Sequence, residues 1–219
     1  MEGYITLLAC MIGLPLLYWG IMQWYKADFE EEKNQKRKIL TSLQEFVAII
    51  LSEAALIRIW FSMGKVSFAN MIFELLYIML VAMTVLCMTD LWEKIMPNKI
   101  LLLLLPVFII VLGIQGVCDI NALIAEIPGI ILGLLFCSMT FGLGYLLSRG
   151  SMGAGDVKLS LLMGLYMTGE YVVGAIVYGC LASAVYSVIQ LSRKKLGRKD
   201  EIPFVPFLYL GLIIRYFVG

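Results

Sequence analysis

The chain contains no histidine. That removes imidazole as a metal ligand and proton shuttle, and as the base of a Ser-His or Cys-His nucleophile pair. Charge is scarce too: 15% of the 219 residues are Asp, Glu, Lys or Arg, where soluble domains carry about 25%. The net charge of +1 offers no basic surplus for a nucleic acid, and no such partner is expected. The five cysteines, Cys10, Cys87, Cys118, Cys137 and Cys180, form no C-x-x-C pair. A zinc ribbon is therefore not expected, nor any metal or other cofactor, and the cysteines are expected to pack as small buried apolar residues. The start of the chain lacks the basic residues and the small-residue cleavage site of a signal peptide, so residues 3–24 are expected to form a retained spanning helix.

Apolar sequence is abundant. Hydrophobic residues make up 61% of the chain, and several windows of about 20 residues are nearly free of charge. The fold class this implies is all-α: a polytopic membrane helix bundle of about eight transmembrane helices. The segments run over 3–24, 39–63, 69–89, 100–117, 122–147, 157–168, 171–191 and 202 to the end. Residues 1–68 form an N-terminal membrane region with a charged loop, and 69–219 the remaining membrane core. The second segment carries Glu45, Glu53 and Arg58, and is expected to span while facing the bundle interior, with an interfacial amphipathic helix as the alternative. The sixth is only about 18 Å long at 1.5 Å per residue, short of a hydrocarbon core of about 30 Å. Gly169 and Glu170 are expected to turn the chain after it.

Charge placement tests this count. If every segment crosses, the loops after the first, third, fifth and seventh share one side and hold nearly all the cations, from Lys26 through Lys94, Lys99, Arg149 and Lys158 to Lys199. The other side has Lys65, and Arg215 near its end. The positive-inside rule makes the first side cytoplasmic. Without a crossing by the sixth segment, residues 193–199 would fall on the wrong side, so the short segment is expected to cross.

This arrangement brings two aspartates to one depth. Asp90 follows the third segment, and Asp156 precedes the sixth. Neighbouring carboxylates do not both ionise cheaply, so one keeps a proton. The ionised member can then take a proton from water while its partner protonates a carbonyl oxygen, which cleaves a peptide bond with no metal and no covalent intermediate. Gly153 and Gly155, just before Asp156, let the backbone turn and a substrate strand approach. Lys158 either holds a neighbouring acid ionised or anchors the helix at the cytoplasmic surface. Glu93 shares the depth but sits in what looks like an exposed turn after Asp90; Glu74 and Glu126 fall near the outer side, and Glu53 lies mid-membrane.

Four features together resemble the type IV prepilin peptidase family. Asp90 followed by Ile95-Met96-Pro97-Asn98 resembles the family's first Asp and its I-x-P-N turn. Gly153-Ala154-Gly155-Asp156-Val157-Lys158-Leu159 matches G-x-G-D-V-K-L, and Ile202-Pro203-Phe204-Val205-Pro206-Phe207-Leu208 resembles the P-F-x-P-F-L run that opens the last helix. The eight-segment layout also fits. The resemblance implies a membrane aspartic endopeptidase that removes short basic leaders from prepilin or pseudopilin substrates at the cytoplasmic face. Asp90 and Asp156 would be its catalytic pair, with Gly153, Gly155, Lys158, Pro97 and Asn98 shaping the site. Bifunctional members also methylate the new N-terminus and often carry paired C-x-x-C motifs near their start. This chain has none of those pairs, so the resemblance does not extend to methylation.

Two other readings stand beside it. Presenilin-like intramembrane proteases also use G-x-G-D, but pair it with a Tyr-Asp step and a Pro-Ala-Leu motif; here Thr89 precedes Asp90 and no Pro-Ala-Leu occurs. A proton- or ion-coupled transporter would account for Glu53, Glu74 and Glu126, although no inverted repeat is evident.

Overall fold

Runs of Leu, Ile, Val and Met that sit in lipid have no water for their backbone N–H and C=O groups, so each run closes its own hydrogen bonds as a helix. The structure, a computed structural model, describes residues 2–28, 35–63, 71–94, 96–147, 153–193 and 203–218. Among them are eight helices: α1 (Glu2–Asp28), α2 (Gln35–Met63), α3 (Met71–Glu93), α4 (Asn98–Cys118), α5 (Ile120–Leu147), α6 (Ala154–Tyr166), α7 (Gly169–Ser192) and α8 (Val205–Val218). Six of them, α1 to α5 and α7, are long and apolar enough to cross a membrane, and α8 is a shorter apolar helix. The chain is a polytopic helical membrane bundle.

α3 is the axis. Every residue from Val81 to Asp90 is buried, so this helix has no outward face at its lower end. α1, α2, α4, α6 and α8 all pack against it. One apolar core joins Leu14 and Tyr18 of α1 and Leu56 of α2 to Leu80 and Met83 of α3, Met163 of α6 and Leu212 of α8. Three of the polar side chains inside it pair with one another. The Ser52 hydroxyl lies 2.8 Å from Thr84 Oγ1 and 2.7 Å from the Tyr209 hydroxyl, which also donates to the Ala48 carbonyl, so α2, α3 and α8 meet in one buried knot. The outward faces of α1, α4, α5 and α7 are apolar and exposed, as lipid-facing surfaces are. Two cysteines, Cys118 and Cys180, lie exposed, whereas Cys10, Cys87 and Cys137 are buried. The expectation of five buried thiols fails because a lipid-facing surface excludes a small apolar side chain no more than the core does.

Contacts between helix ends give the topology. Lys99 at the start of α4 lies over the Trp24 ring near the end of α1. The Trp92 indole at the end of α3 donates to Gln44 in α2. Phe141 toward the end of α5 meets Phe204, just before α8. At the opposite end, Arg215 of α8 lies over Tyr171 near the start of α7 and donates to the Glu170 carbonyl. The helices run up and down, and the stretches flanking 29–34, 95, 148–152 and 194–202 share one end.

Small residues set the closest approaches. A Cβ at Gly133 would lie 2.6 Å from the Gly164 carbonyl oxygen, and one at Gly164 would lie 2.7 Å from that of Gly133, so α5 and α6 touch backbone to backbone. α7 and α8 meet in the same way, where Gly211 faces Gly179 and the Ala175 carbonyl. α6 is short because its far end stops inside the bundle. The Tyr166 hydroxyl donates to the Leu104 carbonyl (2.6 Å), and Met167 is fully buried. The turn that follows is Met167–Thr168, not Gly169–Glu170 as expected from the sequence. Gly169 already belongs to α7, packed against the Leu132 side chain, which would have to shift to admit a Cβ there.

Candidate active site

The end of the bundle that gathers the helix ends of α3, α4, α6 and α8 brings together the acids and turns singled out above. Asp90 lies in the last turn of α3, not beyond it. The helix continues through Trp92 to Glu93, held there by the indole bond to Gln44. Lys94 takes a positive φ of 53°, and its N–H returns to the Asp90 carbonyl, which closes the helix in the left-handed manner of a C-terminal cap. Asp90 itself faces into the bundle and is only 7% exposed. Its Oδ2 accepts a hydrogen bond from the backbone N–H of Val205 at 3.2 Å.

Asp156 is the third residue of α6. Gly153 is the N-cap, extended at φ −62° and ψ 130°, and its carbonyl accepts the Asp156 N–H. The side chain folds back over this glycine: a Cβ at Gly153 would stand 3.1 Å from Asp156 Oδ2. Asp156 is half-buried, and close enough to Asp90 for the charge of one to act on the other.

The residues expected from the sequence to shape the site lie beside these two aspartates. A Cβ at Gly155 would lie 2.8 Å from the Met96 sulfur and 3.1 Å from its Cβ, so the glycine lets α6 seat against the turn between α3 and α4. Pro97 is buried as the N-cap of α4, and its carbonyl accepts the Ile100 and Leu101 N–H groups. Asn98, the first residue of α4, accepts a 3.0 Å hydrogen bond from the Lys158 ammonium. Lys158 thus ties α6 to α4, a role in neither of the two expectations for it.

The other acids sit elsewhere. Glu93 is exposed on the last turn of α3. Glu74 lies in the first turn of α3, at the far end of that helix from Asp90. Glu53 faces Cys10 and Tyr77, and its carboxylate oxygens are buried with no hydrogen-bond partner among the described residues. Among the described residues, no three His, Cys, Asp or Glu side chains gather as a metal set. Met96 and Val205 fall inside the two stretches quoted above, but the sequence gives neither a part in the site. Half-buried Met96 carries no signal that marks it as the contact of Gly155, and Val205 contributes a backbone N–H, which no side-chain pattern announces.

A multi-pass helical bundle that holds two aspartates at one end narrows the class to membrane proteins with a carboxylate site. Comparison with known proteins gives the family. Residues 75–188, about half of the chain, match the type IV leader peptidase family, and the chain belongs to it. Over 135 residues it is 25% identical to the prepilin leader peptidase/N-methyltransferase of Bacillus subtilis (strain 168). That alignment covers 62% of this chain and 52% of the relative, so the chain spans about half the length of the curated protein it matches. No solved structure matches the chain.

Proposed function

We propose that this protein is a membrane aspartic endopeptidase that removes short basic leaders from prepilin or pseudopilin substrates. The observation that carries this reading is the meeting of Asp90 and Asp156 at one end of the bundle, within reach of each other's charge, in a chain of the leader peptidase family. One carboxylate accepts a proton from water as the water attacks the scissile carbonyl. The other donates its proton to the carbonyl oxygen, and the tetrahedral intermediate collapses with proton return to the leaving nitrogen. The described residues around the pair supply no imidazole and no paired thiol, so the carboxylates do this work themselves.

The protein sits in the cytoplasmic membrane, with the site on the cytoplasmic side. Support comes from the cations, which concentrate in the stretches at the same end as the aspartates. A substrate's basic leader then stays in water while its apolar helix lies along the bundle, and the bond between them meets the pair. The relative's name joins a peptidase to an N-methyltransferase; the proposal covers peptide cleavage alone. The test is direct. Purified protein in detergent or vesicles, given a prepilin-type substrate with a basic leader, a glycine and an apolar helix, should release the leader at the residue before the helix. Cleavage inside the apolar helix would favour a presenilin-like protease instead, and no cleavage of any such substrate would overturn the proposal.

The Lys158–Asn98 tie gives a second expectation. Lys158→Met and Asn98→Ala should each slow cleavage roughly tenfold through a displaced α6, with little change in unfolding temperature because both side chains are exposed. The double variant should be no slower than either single one, since both remove one interaction. Fully multiplying losses would show that the two residues act separately.

A further inference from the structure

The start of α8 carries the chain's third motif-like stretch, Pro203 to Phe207, and the leader-removal chemistry so far makes no use of it. Its backbone bonding is informative. Phe204 is the residue before the helix, and its carbonyl accepts the N–H groups of Phe207 (3.0 Å) and Leu208 (3.2 Å). Position 206 is proline and has no N–H. Of the first three helical residues, Val205 alone is left with a donor that does not turn back to the chain, and that donor is the one on Asp90 Oδ2. The stretch is clamped on both sides. Phe204 packs on Phe141 of α5 at 5.9 Å between ring centres, and Phe207 on Tyr186 of α7 at 5.2 Å. Val205 itself is fully buried. The positive end of α8 is therefore held on one carboxylate of the pair.

Asp156 has a different setting. Its own N–H goes to Gly153, its side chain folds back over that glycine, and the nearby Lys158 is directed to Asn98. Lys94 from the turn after α3 acts on Asp90, and Asp90 in turn acts on Asp156 of α6 and on Cys87 one turn earlier in α3. Tyr209, the first titratable residue of α8, is turned away to Ser52 and Ala48.

We infer that the start of α8 is a positioning element that divides the labour of the pair: the Val205 N–H fixes Asp90 as the ionised member that takes the proton from water, and Asp156 holds the shared proton and donates it. This rests on the peptidase reading and adds the assignment of roles. A backbone donor on a carboxylate favours its charged form. Pro206 concentrates the effect by leaving the first turn a single outward donor.

The sign of the expected change follows. The base must be ionised, so the rate falls as pH drops through its apparent pKa. Loss of the donor raises that value and moves the acidic limb of kcat/KM to higher pH. Val205→Pro deletes the N–H at the first helical position, where proline is well accepted. Its acidic limb should move up by about one pH unit, the size of one lost hydrogen bond to a charged group. Val205→Ala keeps the N–H and should leave the limb in place. An unmoved limb in folded Val205→Pro protein overturns the assignment. If Val205→Pro yields no folded protein, Pro206→Ala decides. It adds a donor to the same turn, so a limb moved to lower pH supports the assignment, and one unmoved or raised overturns it. Wild-type protein that cleaves normally beside an unmoved limb defeats this inference alone, whereas wild-type protein that cleaves no leader defeats the peptidase reading first.

Discussion

Asp90→Asn and Asp156→Asn are each expected to cut leader removal by roughly 10²- to 10⁴-fold or more, the range of a positioned acid or base, while the protein still inserts and folds. The substitutions are nearly isosteric, so packing around α3 and α6 should persist. The two variants should nonetheless differ in stability. Asp90 is almost fully buried and accepts the Val205 N–H. Asparagine can still accept that bond through its amide oxygen, but without the charge that faces the start of α8, so Asp90→Asn should lose some stability. Asp156 is half-buried and feels the like charge of Asp90. Asp156 answers that charge by holding the shared proton, so a neutral amide in its place should leave Asp156→Asn about as stable as the wild type. Cleavage measured with a leader-bearing substrate, beside thermal unfolding in detergent, reads both effects. Normal turnover by either variant would remove the pair from the chemistry.

The second large effect is structural. Gly164→Val should weaken the bundle and abolish cleavage together. Any Cβ there would lie 2.7 Å from the Gly133 carbonyl oxygen and 3.0 Å from its carbonyl carbon and from the Leu134 Cα, all backbone atoms that cannot rotate aside. Overpacking of this kind costs roughly 1–3 kcal/mol, and unfolding temperature falls by about 2–4 °C for each kcal/mol in chains of this size. Activity should fall further than stability, because the helix forced away from α5 is the one that carries Asp156. Gly142→Val is the control: a Cβ at Gly142 meets nothing within 4 Å. Equal unfolding temperatures for the two variants would show that the α5–α6 contact is not tight.

Much of this architecture is legible in the sequence, for a physical reason. A chain in lipid must close its backbone bonds locally, so apolar length alone announces the helices. The concentration of cations in alternate loops orders them, and with them the shared depth of Asp90 and Asp156. Contacts between distant residues were not legible. Nothing near Lys158 in sequence points to Asn98, 60 positions away, and nothing near Asp90 points to the Val205 N–H, 115 positions away. Gly169 reads as a turn because glycine before a charged residue commonly ends a helix. Here it begins one, since the side chain of Leu132 occupies the space a Cβ would need. The length of α6 was readable, but its stopping point inside the bundle depends on Tyr166 reaching the Leu104 carbonyl.

The bond between Val205 and Asp90 also bears on how the chain could be divided. The family match ends at residue 188, and Val205 lies beyond it. So does Tyr209, and Ser52, its partner in the knot with Thr84, lies before residue 75. A fragment pared to the matched stretch would keep both aspartates and lose the donor that holds one of them. The recognisable portion of this protein is thus not a self-sufficient unit: the start of α8 holds one of its aspartates, and α2 and α8 share a buried polar knot with α3.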